Sequence, residues 1–139
     1  MVDMFDKNKR SAIMAAIKSR DTKVELLVFH YLRQRRVYFQ RHYKRVAGSP
    51  DIALPRKKKA VFIDGDFWHG RDYDEVLHRY GPEHYWTKKI ARNIERDKEQ
   101  RNALISAGWR VYRVWESDLN RVRTRVDTLK SIEDFLLFD

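Results

Sequence analysis

Gly48-Ser49-Pro50-Asp51-Ile52-Ala53-Leu54, followed by Pro55-Arg56-Lys57-Lys58-Lys59 and then Ala60-Val61-Phe62-Ile63-Asp64, is the stretch that decides the fold. Two short apolar runs flank a cationic, proline-initiated turn, which is the pattern of a hairpin. With the turn centred between Lys57 and Lys58, antiparallel pairing sets Asp51 opposite Asp64 and Ala53 opposite Phe62, with Cβ atoms roughly 5 Å apart. Ile52, Leu54, Val61 and Ile63 then share the other, apolar face. The register is conditional, because a slip of one residue would put the acids on opposite faces; the apolar alternation favours the in-register pairing. Like charges held this close destabilise a sheet unless a cation lies between them. The simplest such cation is a divalent metal.

Outward from the hairpin, the pattern alternates between helix and strand. Residues 7 to 18 read as a basic helix with Ile13, Met14 and Ile17 at helical spacing. Thr22 precedes Glu25 by three residues, a capping box, and Val24, Leu27, Val28, Tyr31 and Leu32 form one stripe of a second helix. Val37 to Tyr43 reads as a first strand, and Gly70 to Pro82 as a polar loop. A long helix runs from Glu83 to about Ala107, with Trp86, Ile90 and Ile94 four apart and Gly108 ending it. Trp109 to Trp115 reads as a buried strand, and Asp118 to Phe138 as a last helix. The order α-α-β-β-β-α-β-α predicts an α/β fold, a central mixed sheet flanked by helices on both faces.

The 139 residues suit one domain, spanning 1–139, with a core large enough to need no staples. There are no cysteines, which excludes disulfides and thiolate metal sites and fits a reducing cytoplasm. No apolar run approaches the ~18 residues of a membrane helix, so a soluble protein is expected. The net charge of +10 is unevenly placed: residues 1 to 59 carry 16 Lys/Arg against 5 Asp/Glu, the rest 14 against 15. A basic half beside a candidate metal-binding acid pair points to nucleic acid as partner.

Three blocks of residues resemble a known family. The first is Arg10-Ser11 with Met14, Asp21-Thr22 and Glu25; the second is Asp51 with Gly65, Phe67, Trp68 and His69. The third is Tyr85-Trp86, Lys89-Ile90, Asn93, Glu95-Arg96-Asp97 and Gly108-Trp109-Arg110-Val111, leading to Val114-Trp115-Glu116. Together they resemble the very short patch repair (Vsr) mismatch endonucleases, within the PD-(D/E)xK restriction-endonuclease-like superfamily. The resemblance implies a Mg²⁺-dependent enzyme that nicks double-stranded DNA 5′ of the thymine in a T·G mismatch, the product of 5-methylcytosine deamination. It leaves room for mismatch-repair proteins as partners, and single-strand nicking fits a monomer associated with the nucleoid through its DNA.

The resemblance also distributes roles. Asp51 is the principal metal ligand, the backbone carbonyl of Ile63 a second, and His69 the catalytic histidine. Asp64 takes the place of an auxiliary ligand or water-positioning group. A metal there activates water and acts as a Lewis acid, and His69, with a pKa near neutral, is suited to take the water proton. Glu25 lies near the metal by resemblance, yet as residue N3 of a capping box it needs no further role. Phe67 and Trp68 read as a wedge entering the base stack, joined by Met14, because unstacking is cheapest at a mispair; buried aromatics and a core methionine are the plainer alternatives.

Lys89 and Asn93 lie one turn apart on the long helix, placed for base edges or phosphates with Asn93 the better reader, or simply on a surface helix with i,i+4 pairs; Arg92 and Arg96 read as phosphate contacts or salt-bridge partners. Lys57-Lys58-Lys59 reads as a solvated turn without a site role, His42, His78 and His84 have no motif, and Trp86, Trp109 and Trp115 belong to the core. One departure from the family stands out. Where its structural zinc is usually held by cysteine and histidine, this chain has Asp66, Arg71, Tyr73 and Ser117. An Asp66–Arg71 ion pair with Tyr73 packing is therefore expected in place of zinc. Two alternatives remain open: a same-fold nickase of relaxed or altered specificity, and a DNA-binding module without catalysis.

Overall fold

The computed structural model describes residues 21–138, so the basic helix expected over 7–18, and Met14 with it, lies outside the described residues. The described chain runs α1 (Lys23–Gln34), β1 (Gln40–Arg41), β2 (Ile52–Leu54), β3 (Lys59–Asp64), α2 (Tyr73–Tyr80), α3 (Tyr85–Ser106), β4 (Arg110–Trp115), α4 (Glu116–Asn120) and α5 (Val122–Leu137). The strands form one sheet in the order β1-β2-β3-β4. β1, β2 and β3 pair antiparallel, and β3 pairs parallel with β4. The long connection through α3 is what a parallel partner demands. The mixed α/β architecture is the one expected.

The sheet is covered on both faces, as its two apolar sets require. Ile52, Val61, Ile63 and Val114 pack against Val28, Phe29 and Leu32 of α1 and Ile132 and Leu136 of α5. Each such side chain, fully buried, is worth roughly 1.5–3 kcal/mol against exposure. Ala53, Ala60 and Phe62 face the other way, toward Leu104 of α3 and Trp109. The acids of the hairpin share this second face at the end of the sheet. β3 is buried throughout because it is covered on both faces.

Several details differ from the sequence reading. Leu54 pairs with Lys59 and Ile52 with Val61, so Asp51 falls opposite Phe62, two positions from Asp64. Lys58 adopts a left-handed conformation (φ 54°), which closes the loop over residues 55–58 and lets β3 begin at Lys59. A shift of two keeps every side chain on its face, so the acids stay together although not directly opposed. Lys59 is not solvated: it is 1% exposed and its Nζ donates to the carbonyls of Phe135 (2.8 Å), Leu136 (3.3 Å) and Phe138 (2.8 Å), capping the end of α5.

Only Gln40–Arg41 of the first strand forms a ladder, and the expected loop after Gly70 holds α2, none of whose residues is buried. The last helix breaks at Arg121 into α4 and α5. Trp86 and Trp109 are buried, whereas Trp115 is half-buried. Among the described residues, no helix is long and apolar enough to cross a membrane.

Candidate functional site

The C-terminal ends of β3 and β4, the N-terminus of α1 and the middle of α3 enclose a cavity of about 610 Å³. Asp51 stands on one wall. Its Oδ2 accepts from the Ile63 N–H at 2.7 Å. In an antiparallel pair the N–H and C=O of one residue point toward the same neighbour, so the Ile63 carbonyl also faces the Asp51 side. Burial pushes the Asp51 carboxyl up to about 8, the Ile63 hydrogen bond opposing, with Glu25 and Asp64 adding to the rise. The donor set of one half-buried carboxylate, a backbone carbonyl and nearby acids suits a hard divalent ion with oxygen ligands.

His69 stands on the facing wall. Its Nδ1 lies 2.5 Å from Asp97 Oδ2, and its Nε2 lies 3.7 Å from Asp64 Oδ1. Burial disfavours the imidazolium, but Asp97 and Asp64 outweigh it and the pKa is raised. Gly70 explains how the loop delivers this ring: at φ +74° it lies so close to α3 that a Cβ would come within 2.4 Å of Ile94 Cδ1. Asp64 is not a bare acid. Its Oδ2 is gripped by Arg101 at 2.6 Å and Arg113 at 2.8 Å. Burial still raises its pKa, with His69 and Arg101 opposing. Glu25 forms the expected capping box with Thr22 (3.2 and 3.3 Å) and, 4% exposed, also lines the cavity from the start of α1.

Phe67 and Trp68 form a cluster on the buried Trp86, with ring centroids 5.0–5.5 Å apart, and Phe67 remains 38% exposed. Asn93 departs from the sequence reading as a base reader. It is buried, its Nδ2 donates to the Trp68 carbonyl (2.9 Å) and its Oδ1 accepts from Arg96 (2.9 Å). With both ends engaged, it braces the aromatic loop instead. Lys89 is half-buried, while Arg92 and Arg96 are exposed along α3, and Arg96 borders the cavity.

A family model described as DNA mismatch endonuclease Vsr matches residues 2–75. The chain belongs to the Vsr family. It is 35% identical over 122 residues to the type II nicking enzyme V.HpaIIP of Haemophilus parainfluenzae, covering 86% of this chain and 85% of that one. It is 37% identical over 119 residues to the type II nicking enzyme V.NmeAIP of Neisseria meningitidis, covering 86% and 85%. To the DNA mismatch endonuclease Vsr of Escherichia coli it is 33% identical over 119 residues, covering 86% and 76%. The mixed sheet flanked by helices is thus the Vsr version of the restriction-endonuclease-like fold, and the protein is a DNA endonuclease.

Against the Vsr pattern, the positions resembling zinc ligands hold a polar network. Arg71 Nη1 meets Asp66 (3.3 Å), Ser117 Oγ (2.8 Å) and Asp118 (3.3 Å). Asp66 in turn accepts from the Ser117 backbone N–H (3.1 Å) and hydroxyl (2.5 Å). Burial alone would raise the Asp66 pKa, but these bonds outweigh it and lower it. The Asp66–Arg71 pair is the one expected, while Ser117 and Asp118, rather than Tyr73, complete it.

Four residues in this Vsr site had no weight in the sequence reading as site groups. Asp97 was visible as a residue of the third block but was given no role, although its place one turn after Asn93 on the buried side was a signal. Arg101 and Arg113 come from α3 and β4 and meet Asp64 only through the tertiary fold. His42, in a left-handed conformation (φ 47°), places its Nε2 3.2 Å from Asp21 and 3.6 Å from Glu25, and its Nδ1 3.8 Å from Asp51.

Proposed function

We propose that this protein is a divalent-metal-dependent endonuclease that nicks duplex DNA 5′ of the thymine at T·G mismatches arising from 5-methylcytosine deamination. One observation carries the reading: the half-buried Asp51, held by the Ile63 N–H, lines the same cavity as the His69–Asp97 pair. Asp51 and the Ile63 carbonyl would hold the cation, with Asp64 as an auxiliary group and Mg²⁺ the favoured ion. Such a cation supplies Lewis-acid stabilisation of the phosphodiester.

The chain's own residues do the rest. Asp97 orients the imidazole through Nδ1, so that Nε2 is turned to the cavity to take the proton of the attacking water. Asp64, held in place by Arg101 and Arg113, presents its free Oδ1 3.7 Å from Nε2, where it can receive the charge of the protonated imidazole. Glu25 adds a further acid on the Asp51 side. Phe67, backed by Trp68 and Trp86, is the exposed apolar wedge for a weakened base step, and Lys89, Arg92 and Arg96 hold phosphates along α3.

A second reading is favoured by the relatives named as type II nicking enzymes: the same nick with altered specificity. The two separate on labelled duplexes carrying one T·G mismatch, or T·A or C·G in its place, with Mg²⁺ or with chelator. A metal-dependent cut 5′ of the mismatched thymine alone supports the repair reading. Equal cutting of all three duplexes overturns it in favour of relaxed specificity, and binding without any cut would leave a module without chemistry.

A further inference from the structure

Outside the site, a second and larger concavity of about 1190 Å³ follows the β1 edge of the sheet. Its lining includes Arg36, Arg41, Lys44, Arg45, Arg56 and Lys57, all exposed, and no carboxylate. Arg41 is paired with Asp21 at 3.5 Å. Among the described residues, no ion pair answers the other five. In a chain with 20 acidic residues, a concavity lined by one sign of charge is a feature of placement, not of composition. Val37, Leu54 and Leu136 supply an apolar floor. Low-dielectric walls below a ring of like charges focus the field outward and favour a polyanion. Tyr38, 87% exposed on the same rim, adds a phenolic donor of the kind that bonds phosphate oxygens.

One loop connects the groove to the site. Tyr43, Lys44 and Arg45 line the groove, while Gly48 and Ser49 of the same loop line the site cavity. His42 borders the groove and comes within 3.8 Å of Asp51. A strand leaving the cut across this loop would meet the cationic rim. We propose that the β1-edge groove holds the phosphodiester backbone of duplex DNA flanking the cut, lengthening the footprint beyond the mismatch. The proposal rests on the reading of the protein as a DNA-nicking enzyme, and gives the Arg56–Lys57 turn a role that its sequence alone does not suggest.

The test replaces Lys44, Arg45, Arg56 and Lys57 together by Gln and reads DNA binding by fluorescence anisotropy without divalent metal. Mismatched duplexes of roughly 10 and roughly 40 base pairs, one and four helical turns, are compared across a salt series. The variant is expected to melt like the wild type and to bind the short duplex equally. On the long duplex it should bind roughly tenfold or more weakly, with a salt slope reduced by about 2–4. Unchanged affinity and slope on the long duplex overturn the proposal and leave an acidic protein segment as the groove's occupant. Equal weakening on both lengths also overturns it, because the charges would then serve the site itself. If the wild type nicks T·G DNA while the variant binds as it does, the groove alone fails. A wild type that neither binds nor nicks any duplex removes the functional reading as well.

Discussion

The Nδ1 of His69 lies 2.5 Å from Oδ2 of Asp97, an acid 28 positions further along the chain and buried on α3. This pairing fixes which ring nitrogen faces the cavity, and its electrostatics set the pH at which that nitrogen is free. The raised His69 pKa places the acid limb of the nicking rate above the ordinary 6.5, since a general base works only when deprotonated. Asp97→Asn removes the charge that opposes burial, so the limb should move to lower pH. The rate on the alkaline plateau should fall by about 10²–10⁴ through loss of the oriented tautomer. Single-turnover rates across pH check both; an unshifted limb would reassign Asp97 to packing.

Asp51→Asn should abolish metal-dependent nicking while DNA binding persists. Its effect on stability runs the other way. The Asp51 carboxyl is raised in the folded state to about 8 from an unfolded value near 3.8. Between these values the native state holds a proton that the unfolded state has lost, so stability falls as pH rises through the window. The penalty is absent below about 4 and complete above about 8. The variant should therefore exceed wild type by roughly 1–3 kcal/mol at pH 8, and the gap should close near pH 4. Adding Mg²⁺ at pH 8 should stabilise only the wild type. Thermal unfolding at the two pH values, with and without the ion, decides the matter.

Asn93→Ala should act on folding and not on base discrimination. It leaves the half-buried Trp68 carbonyl without its 2.9 Å donor, at a cost of about 1 kcal/mol. Denaturant unfolding reads that loss directly. A variant of wild-type stability that cuts T·G and matched DNA more equally would restore Asn93 as a reader of bases.

Chelator should leave the melting temperature unchanged in buffer without added metal, because the Asp66–Arg71–Ser117–Asp118 network occupies the positions resembling zinc ligands. Arg71→Ala should cost about 0.5–1.5 kcal/mol, a modest figure because the guanidinium is partly solvated. Stoichiometric zinc in the purified protein would refute the replacement.

How far the sequence could be read depended on how local the cause was. The capping box of Thr22 and Glu25, the end of α3 at Gly108 and the two faces of the hairpin follow from spacing, and all were legible. The register was not, because it turns on Lys58 taking a left-handed conformation that Asn or Gly would have advertised and lysine does not. α2 escaped notice although Tyr73, Val76, Leu77 and Tyr80 are helically spaced, because the period lasts only eight residues amid polar neighbours and buries none of them fully. Within the site, Asp51 and His69 were visible as motif residues. Arg101, Arg113 and His42 were not, since they approach the acids from elements whose packing no single stretch encodes.

The Lys59 ammonium, sealed among the carbonyls of Phe135, Leu136 and Phe138, ties the hairpin to the last residues of the chain. During synthesis, α5 emerges long after the hairpin has been made. Until it docks, β3 begins with a charge that has no carbonyls to receive it. The final turn of α5 thus acts as a latch on the first residue of β3, the strand that sets Ile63 beside Asp51.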